Sequence, residues 1–388
     1  MEKTDKRQAD TLSTVEANKR RPNTKLYRYF IQEKSFVLVV LIGTTLAAFS
    51  TTYNWQISMW IGFLFAAYSA VANDSIQTLG TFIESNFNKQ WWKLWLFMGT
   101  IFLATITYSY IIYDGDITFQ RLLKPDGTTP YPHPNSDPDM EFSFFQVIAP
   151  LVLLVLTRFR MPVSTTFLLL SAFSASSSGI TSVVLKSVSG YVLAFILSFA
   201  IWIFSYNLIK KYFRSRSFSN YWSYIQWTVS GTLWSVWIMQ DGANIAVFLP
   251  RQLELYQFLI FAGVIFFGLG LLFYSRGDKI QQVVSEKVRI SDVRAATLVD
   301  FSYVILLIYK FFISTVPMST TWIFLGIIGG REIAVSIARK KDGIKHKKKA
   351  WGYAGRDFGY ALIGLFISVA LAAGANESIR NEIINALS

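Results

Sequence analysis

The chain has 388 residues, 52% hydrophobic and 16% charged, and its 37 Lys and Arg against 24 Asp and Glu give a net charge of +13. Soluble domains carry about 25% charged residues, and the mean hydropathy here is +0.37, so a water-soluble globule is excluded and a multi-span helical membrane protein is expected. The lack of cysteine excludes disulfides, thiolate metal sites and cysteine catalysis. The only two histidines, His133 and His346, lie in polar stretches and give no basis for zinc or haem chemistry.

Residues 1–35 form a polar tail with nine basic and five acidic residues and no apolar core of a cleavable signal. Lys and Arg are retained on the cytoplasmic side, so the tail is expected there, with insertion resting on a leading transmembrane helix, 36–55. A second span, about 56–86, returns to the Trp/Lys interface belt "NKQWWK". A third, about 92–113, leads out to the loop 114–141, which has six acidic and two basic residues and is expected to be extracytoplasmic and irregular. The segment 142–179 follows, then a span at about 187–209 ending in the basic "KKYFRSR". Spans at about 221–249 and 254–275 go out and back, and the loop 276–299 has five basic and three acidic residues. After the segment 300–337 comes "RKKDGIKHKKK", seven basic residues against one acid, expected as a solvated cytoplasmic loop touching anionic lipid. A last span, about 350–374, leaves a short C-terminal tail, 375–388, outside. Placed this way, the basic excess reports orientation and not nucleic-acid binding.

The segments 142–179 and 300–337 each contain proline, one apolar residue and Ser-Thr-Thr: "MPVSTTF" from Met161 and "VPMSTTW" from Val316. The charge pattern is consistent only if each of these segments enters and leaves on one side, so each is a hairpin, either re-entrant or fully spanning. The halves 56–209 and 221–374 then have the same order of parts with opposite orientation. The expected fold is all-α and polytopic, an inverted-topology repeat with two helical hairpins in the manner of secondary transporters, whose sites lie near mid-bilayer.

The lead span of each half carries amide, Asp, two residues, amide: Asn73, Asp74 and Gln77 in "VANDSIQTLGT", and Gln240, Asp241 and Asn244 in "MQDGANIAVF". Residues three and four apart share a helix face, so each half supplies one carboxylate and its amides to one stripe. A carboxylate in hydrocarbon costs about 2.5–3.5 kcal/mol even on the lenient insertion scale, and a cation, Na⁺ or H⁺, would offset it. Proline suits the first turn of a helix, and Ser-Thr-Thr behind it sets hydroxyls and free amides at the positive end of the helix dipole, an arrangement that binds anions. Ser164, Thr165, Thr166, Ser319, Thr320 and Thr321 are therefore candidate ligands of an oxyanion. Asp74 and Asp241 are candidate ligands of the cation, which is Na⁺ if coupling is to sodium. Small residues after the first triplet, Ser171, Ala172, Ser174, Ala175 and Ser176, suit close helix packing. Arg158, Arg160 and Lys310 flank the triplets and either draw anions or snorkel to an interface. Glu84, Asp300, Arg331 and Glu332 are expected near span ends.

These residues resemble the inorganic phosphate transporter (PiT) family, which carries in each half a Gly-Ala-Asn-Asp-x-x-Asn-type and a Pro-[Val/Ile]-Ser-x-Thr-His signature. The resemblance implies a Na⁺- or H⁺-coupled alternating-access phosphate symporter with no further cofactor, acting as a homodimer in the bilayer. Phosphate would be held by the two triplets, and the Asp-amide residues would serve the coupling ions and phosphate. The family His is Phe167 and Trp322 here, and Gln77 and Gln240 stand in place of Asn. The same architecture would serve another oxyanion such as sulfate, or a non-transporting anion sensor. The missing cysteines and the short chain point to a bacterial inner membrane.

Overall fold

The computed structural model describes residues 34–122, 133–137, 140–159, 161, 163–173, 177–212, 220–276, 292–313, 319–338 and 343–387. Both motif prolines, Pro162 and Pro317, lie outside them, as do Arg160 and Ser174 to Ser176. Among the described residues every regular element is helical. Residues 47–388 form one compact unit. Residues 34–46 are helical and belong to α1, Lys34–Tyr53.

Asn54 caps α2 (Trp55–Ser69), its side chain accepting from Gln56 N at 2.6 Å. A π-turn, Ala70–Asp74, carries α2 into α3 (Ser75–Ser85), and α4 spans Trp91–Ile112. Helix α5 (Phe144–Arg158) opens on a capping box formed by Ser143 and Gln146. After it come a second π segment, Thr166–Leu170, then α6 (Ser177–Tyr212), α7 (Asn220–Ala246) and α8 (Leu255–Tyr274). The chain ends with α9 (Val293–Ile313), α10 (Thr320–Ala338), α11 (Gly343–Ala375) and α12 (Glu377–Leu387).

Eight of these helices are long and apolar enough to cross a membrane: α1, α2 with its π-turn, α4, α6, α8, α9, α10 and α11. Their outward faces carry large apolar side chains, such as Leu259, Phe267 and Leu271 on α8, all of which are exposed. With no apolar solvent other than lipid to receive them, these surfaces make the chain an integral membrane protein. Helix α7 was expected as a span and is not apolar enough to be counted as one. Its 27 residues are long enough, but Gln226, Ser230, Gln240, Asp241 and Asn244 are buried along it. It packs against α9, α4, α3 and α2, so protein covers the face that carries these polar side chains, while Tyr221 and Tyr224 stay exposed.

The two segments that carry the triplets differ in helix length. Helix α5 has 15 residues, about 22 Å, too short to cross, and the arm behind its triplet breaks after Ala172. The second triplet lies between α9 and α10, which pack on each other and are both long enough to cross. Two further expectations are corrected. The basic stretch from Gly343 to Lys349 is the start of α11 rather than a loop. Within the short C-terminal tail, α12 docks through Ile379 on Ile180 and Ala372. Arg331 and Glu332 form an ion pair at 2.5 Å inside α10 and not at its end, with Arg331 also 4.9 Å above the Trp202 ring.

The turn after α3 meets the end of α8, where Arg276 donates to the Phe87 carbonyl and covers the Phe87 ring. On the opposite side Leu253 N donates to Gly115 O at 3.0 Å. Gly115 has φ +90°, and a Cβ there would lie 3.0 Å from Leu253 O, so only glycine fits this contact.

His133 belongs to the same side. It is buried, its Nδ1 accepts from Asn135 N at 3.0 Å, and its Nε2 therefore carries the proton donated to Phe248 O at 2.7 Å. Burial, with Arg251 adding repulsion, pushes the imidazole down to about 4. Unfolded chains bind that proton near pH 6.5, so this stability is fully present above about 6.5 and is lost as pH falls towards 4. The gap is worth roughly 3 kcal/mol. Thermal unfolding in detergent between pH 7 and 4 should show a steeper loss of Tm for the native chain than for His133→Asn; equal slopes would mean that His133 does not titrate this way.

Candidate ion and anion site

The Ser-Thr-Thr triplets open two helical segments, and in both the serine is the N-cap. Ser164 Oγ accepts from Phe167 N at 3.1 Å, and Ser319 Oγ accepts from Trp322 N at 3.2 Å. The short polar side chain bonds the first-turn amides that have no intrahelical partner. Ser319 N in turn donates to Ser187 Oγ of α6 at 3.0 Å, which fixes the second tip against that helix.

The threonines do something else. Thr320 Oγ1 donates to Asp241 Oδ2 at 2.5 Å, and Thr166 Oγ1 donates to Asp241 Oδ1 at 3.4 Å. Hydroxyls from both triplets, 154 positions apart in sequence, thus close on one carboxylate. Asn244, one turn along α7, donates to Asp241 Oδ1 at 2.9 Å and to Thr166 Oγ1 at 3.2 Å. The residues that follow the triplets also meet: the Phe167 and Trp322 rings pack edge to face with centroids 5.4 Å apart. Two helix tips therefore abut at their first turns.

Asp74 is held differently. It sits at the end of the π-turn, where Asn73 Nδ2 donates to its Oδ1 at 2.8 Å. Thr165 approaches the Asp74 carboxylate without closing a hydrogen bond. Asp74 lies within electrostatic range of Asp241, and Tyr303 within range of both. The Tyr303 hydroxyl donates to Thr320 O at 2.8 Å, tying α9 to the second tip. The sequence order Asp74–Thr165 in one half is matched by Asp241–Thr320 in the other.

Gln77 and Gln240 depart from the expected stripe. Gln77 Nε2 reaches Asn73 Oδ1, four residues back, at 3.5 Å instead of Asp74. Gln240 turns to α9 and donates to Leu307 O at 2.9 Å. Thr321 is buried in the first turn of α10. All twelve candidate residues are placed; Asn73, Asp74, Asn244 and Asp241 gather with the threonines, whereas Ser164, Ser319 and Gln240 serve caps and packing.

Four buried atoms here have no hydrogen-bonding partner among the described residues: Gln77 Oε1, Thr165 Oγ1, Asn244 Oδ1 and Trp322 Nε1. An orphaned polar atom in a protein interior is costly. Three of the four are neutral oxygens beside two carboxylates, a donor set suited to a dehydrated monovalent cation or to protons.

The sequence alone did not point to Arg121. The turn 114–122 is built on Asp116, which accepts from Thr118 N at 2.7 Å and from Gln120 N at 2.7 Å. Phe119 and Gln120 take φ of 54° and 61° within it. The turn delivers Arg121 into the bundle, where it is buried, donates to Phe311 O at 3.3 Å and covers the Phe311 ring. Burial pushes its guanidinium pKa down and the Asp241 charge pulls it back up. Lys310 lies within electrostatic range of both Arg121 and Lys186, and Lys186 adjoins the Ser187 that holds the second tip. No family model matches the chain, and comparison with curated proteins and with solved structures likewise gives no match.

Proposed function

We propose that the protein is an ion-coupled symporter of an inorganic oxyanion, with phosphate the first candidate, working by alternating access. The observation that carries this reading is the closure of Thr166 and Thr320, one from each triplet, on the single carboxylate of Asp241. Those hydroxyls and first-turn amides are the groups that would bind an oxyanion. While Asp241 is ionised it occupies the hydroxyls itself and repels any other anion. A Na⁺ or proton on Asp241 removes the charge and frees the donors. Cation and anion are then bound together or not at all, which is the requirement for symport.

The inverted repeat is part of the proposal. Matching order of parts, matched Asp–Thr pairs, abutting Phe167 and Trp322, and the meeting of segments that charge assigns to one face all support it. In the proposed orientation the N-terminal tail is cytoplasmic, and Arg121, Lys186 and Lys310 draw the anion from the opposite face by electrostatic focusing. Phe167 and Trp322 fill the positions where the phosphate transporter family has His. This favours, as a second reading, a different tetrahedral oxyanion such as sulfate.

Uptake of labelled phosphate into proteoliposomes, with an imposed inward Na⁺ or proton gradient, tests the proposal. Accumulation that follows one of the two gradients supports it, and competition by sulfate, arsenate and selenite ranks the cargo. Binding of anion with no flux under either gradient would replace the symporter by a sensor.

A further inference from the structure

Asp300 was expected near a span end, and the structure places it inside the membrane-spanning stretch of α9, about two turns in. It is 1% exposed. Thr81 Oγ1 of α3 lies 2.5 Å from its Oδ1, and Ser230 Oγ of α7 lies 2.5 Å from its Oδ2. These two hydroxyls are its partners among the described residues. Helix α9 packs against α3, α6, α7 and α10, which bring Glu84, Lys186, Asp241, Arg331 and Glu332; α9 itself adds Arg294, Tyr303 and Lys310. None of them lies against Asp300. Arg294 is bonded to Asp292 and Arg331 to Glu332.

An ionised carboxylate with two hydroxyls and no cation is expensive in this setting. A protonated one is not: its O–H donates to one hydroxyl while its carbonyl accepts from the other. The polar surroundings also run in one direction. Thr81 is followed one turn along α3 by Ser85, whose hydroxyl donates to Thr81 O at 2.6 Å. Ser85 is met by Gln226, and Gln226 Oε1 accepts from Asn86 at 2.9 Å. The file ends at residues 87–90, all exposed. In the other direction along α3 lies Asp74, seven residues before Thr81 and so on the same face.

We infer that Asp300 is a second intramembrane proton-binding station, protonated in the resting protein and exchanging with water on the side of the bundle where Ser85, Asn86 and Gln226 lead to the exposed turn 87–90. It rests on the membrane-embedded fold and not on the identity of any cargo, so it is tested without transport. The purified full chain in lipid is compared with Asp300→Asn by infrared spectroscopy at neutral pH, in H₂O and after exchange into D₂O. The native chain should show a protonated-carboxyl C=O band that the variant lacks, and D₂O should shift it. Ser230→Ala keeps the carboxyl and removes one hydrogen bond, so it should move the band even if Asp300→Asn fails to fold. Identical spectra for the native chain and Asp300→Asn would overturn the inference, as would a band that D₂O leaves in place or one that Ser230→Ala does not move.

Discussion

Asp241→Asn should bind the oxyanion without needing the cation, and should lose the ability to accumulate it. The asparagine has nearly the shape of the aspartic acid and its carbonyl still accepts from Thr320, but it carries no charge. It therefore imitates the cation-loaded site permanently. In the native chain, coupling between two ligands of this kind is worth roughly 1–3 kcal/mol, about 5–150-fold in affinity, and cation and anion must enhance one another by the same factor. In the variant that factor should fall to about one. Calorimetric titration of phosphate, at saturating and at zero Na⁺ and across pH, measures it directly. Gradient-driven uptake should disappear while anion exchange across the membrane persists. A variant whose anion affinity still depends on the cation would remove Asp241 from the coupling.

The second large effect is expected at the helix pair that holds the tips. Helix α10 lies on α6 with almost no side chain between them. A Cβ at Gly326 would lie 2.5 Å from Tyr191 O, and one at Gly330 would lie 2.3 Å from Phe195 O and 3.0 Å from Phe199 N. The obstacles are backbone and cannot rotate away. This is the small-residue spacing that lets membrane helices approach closely, and Ser198 Oγ reinforces it by donating to Ile327 O at 2.7 Å. Overpacking by one methyl costs about 1–3 kcal/mol where side chains can adjust, so Gly330→Ala should reach or exceed the top of that range. Gly329 is the control: its Cβ would meet the Phe195 ring at 3.6 Å, an ordinary contact. Thermal unfolding should show Gly326→Ala and Gly330→Ala strongly destabilised and Gly329→Ala nearly unchanged. Because Ser187 of α6 also bonds Ser319 N, the two destabilised variants should lose anion binding in parallel. Equal tolerance of all three substitutions would contradict the close approach.

Much of this was legible because hydrocarbon imposes strict rules on sequence. Apolar runs marked the spans to within a few residues, and the repeated Ser-Thr-Thr and Asp-amide patterns named the residues that converge on Asp241. What escaped did so for physical reasons. Residues three and four back share one helix face, so periodicity does not tell whether Gln77 meets Asp74 or Asn73. Arg121 lies in a loop of net negative charge, and a turn with two left-handed non-glycine residues carries it inward. Asp300 was accessible: it lies inside "ATLVDFSYVILL", and the rule applied to Asp74 and Asp241 applied equally there. The close packing fell on Gly326 and Gly330, behind the second triplet, where the sequence reading had favoured small residues behind the first. Helix α7 shows the limit of hydropathy, since a helix face covered by protein is free to be polar.

In the proposed symport, the two helix tips exchange Asp241 for an oxyanion when a cation arrives. An electron cryomicroscopy map of the protein in lipid with sodium phosphate tests it most directly. The account predicts tetrahedral density between Thr165–Thr166 and Thr320–Thr321, with the Thr166 and Thr320 hydroxyls turned from Asp241 to the anion. Thr166 and Thr320 still closed on Asp241, with the anion bound elsewhere or not at all, would contradict it.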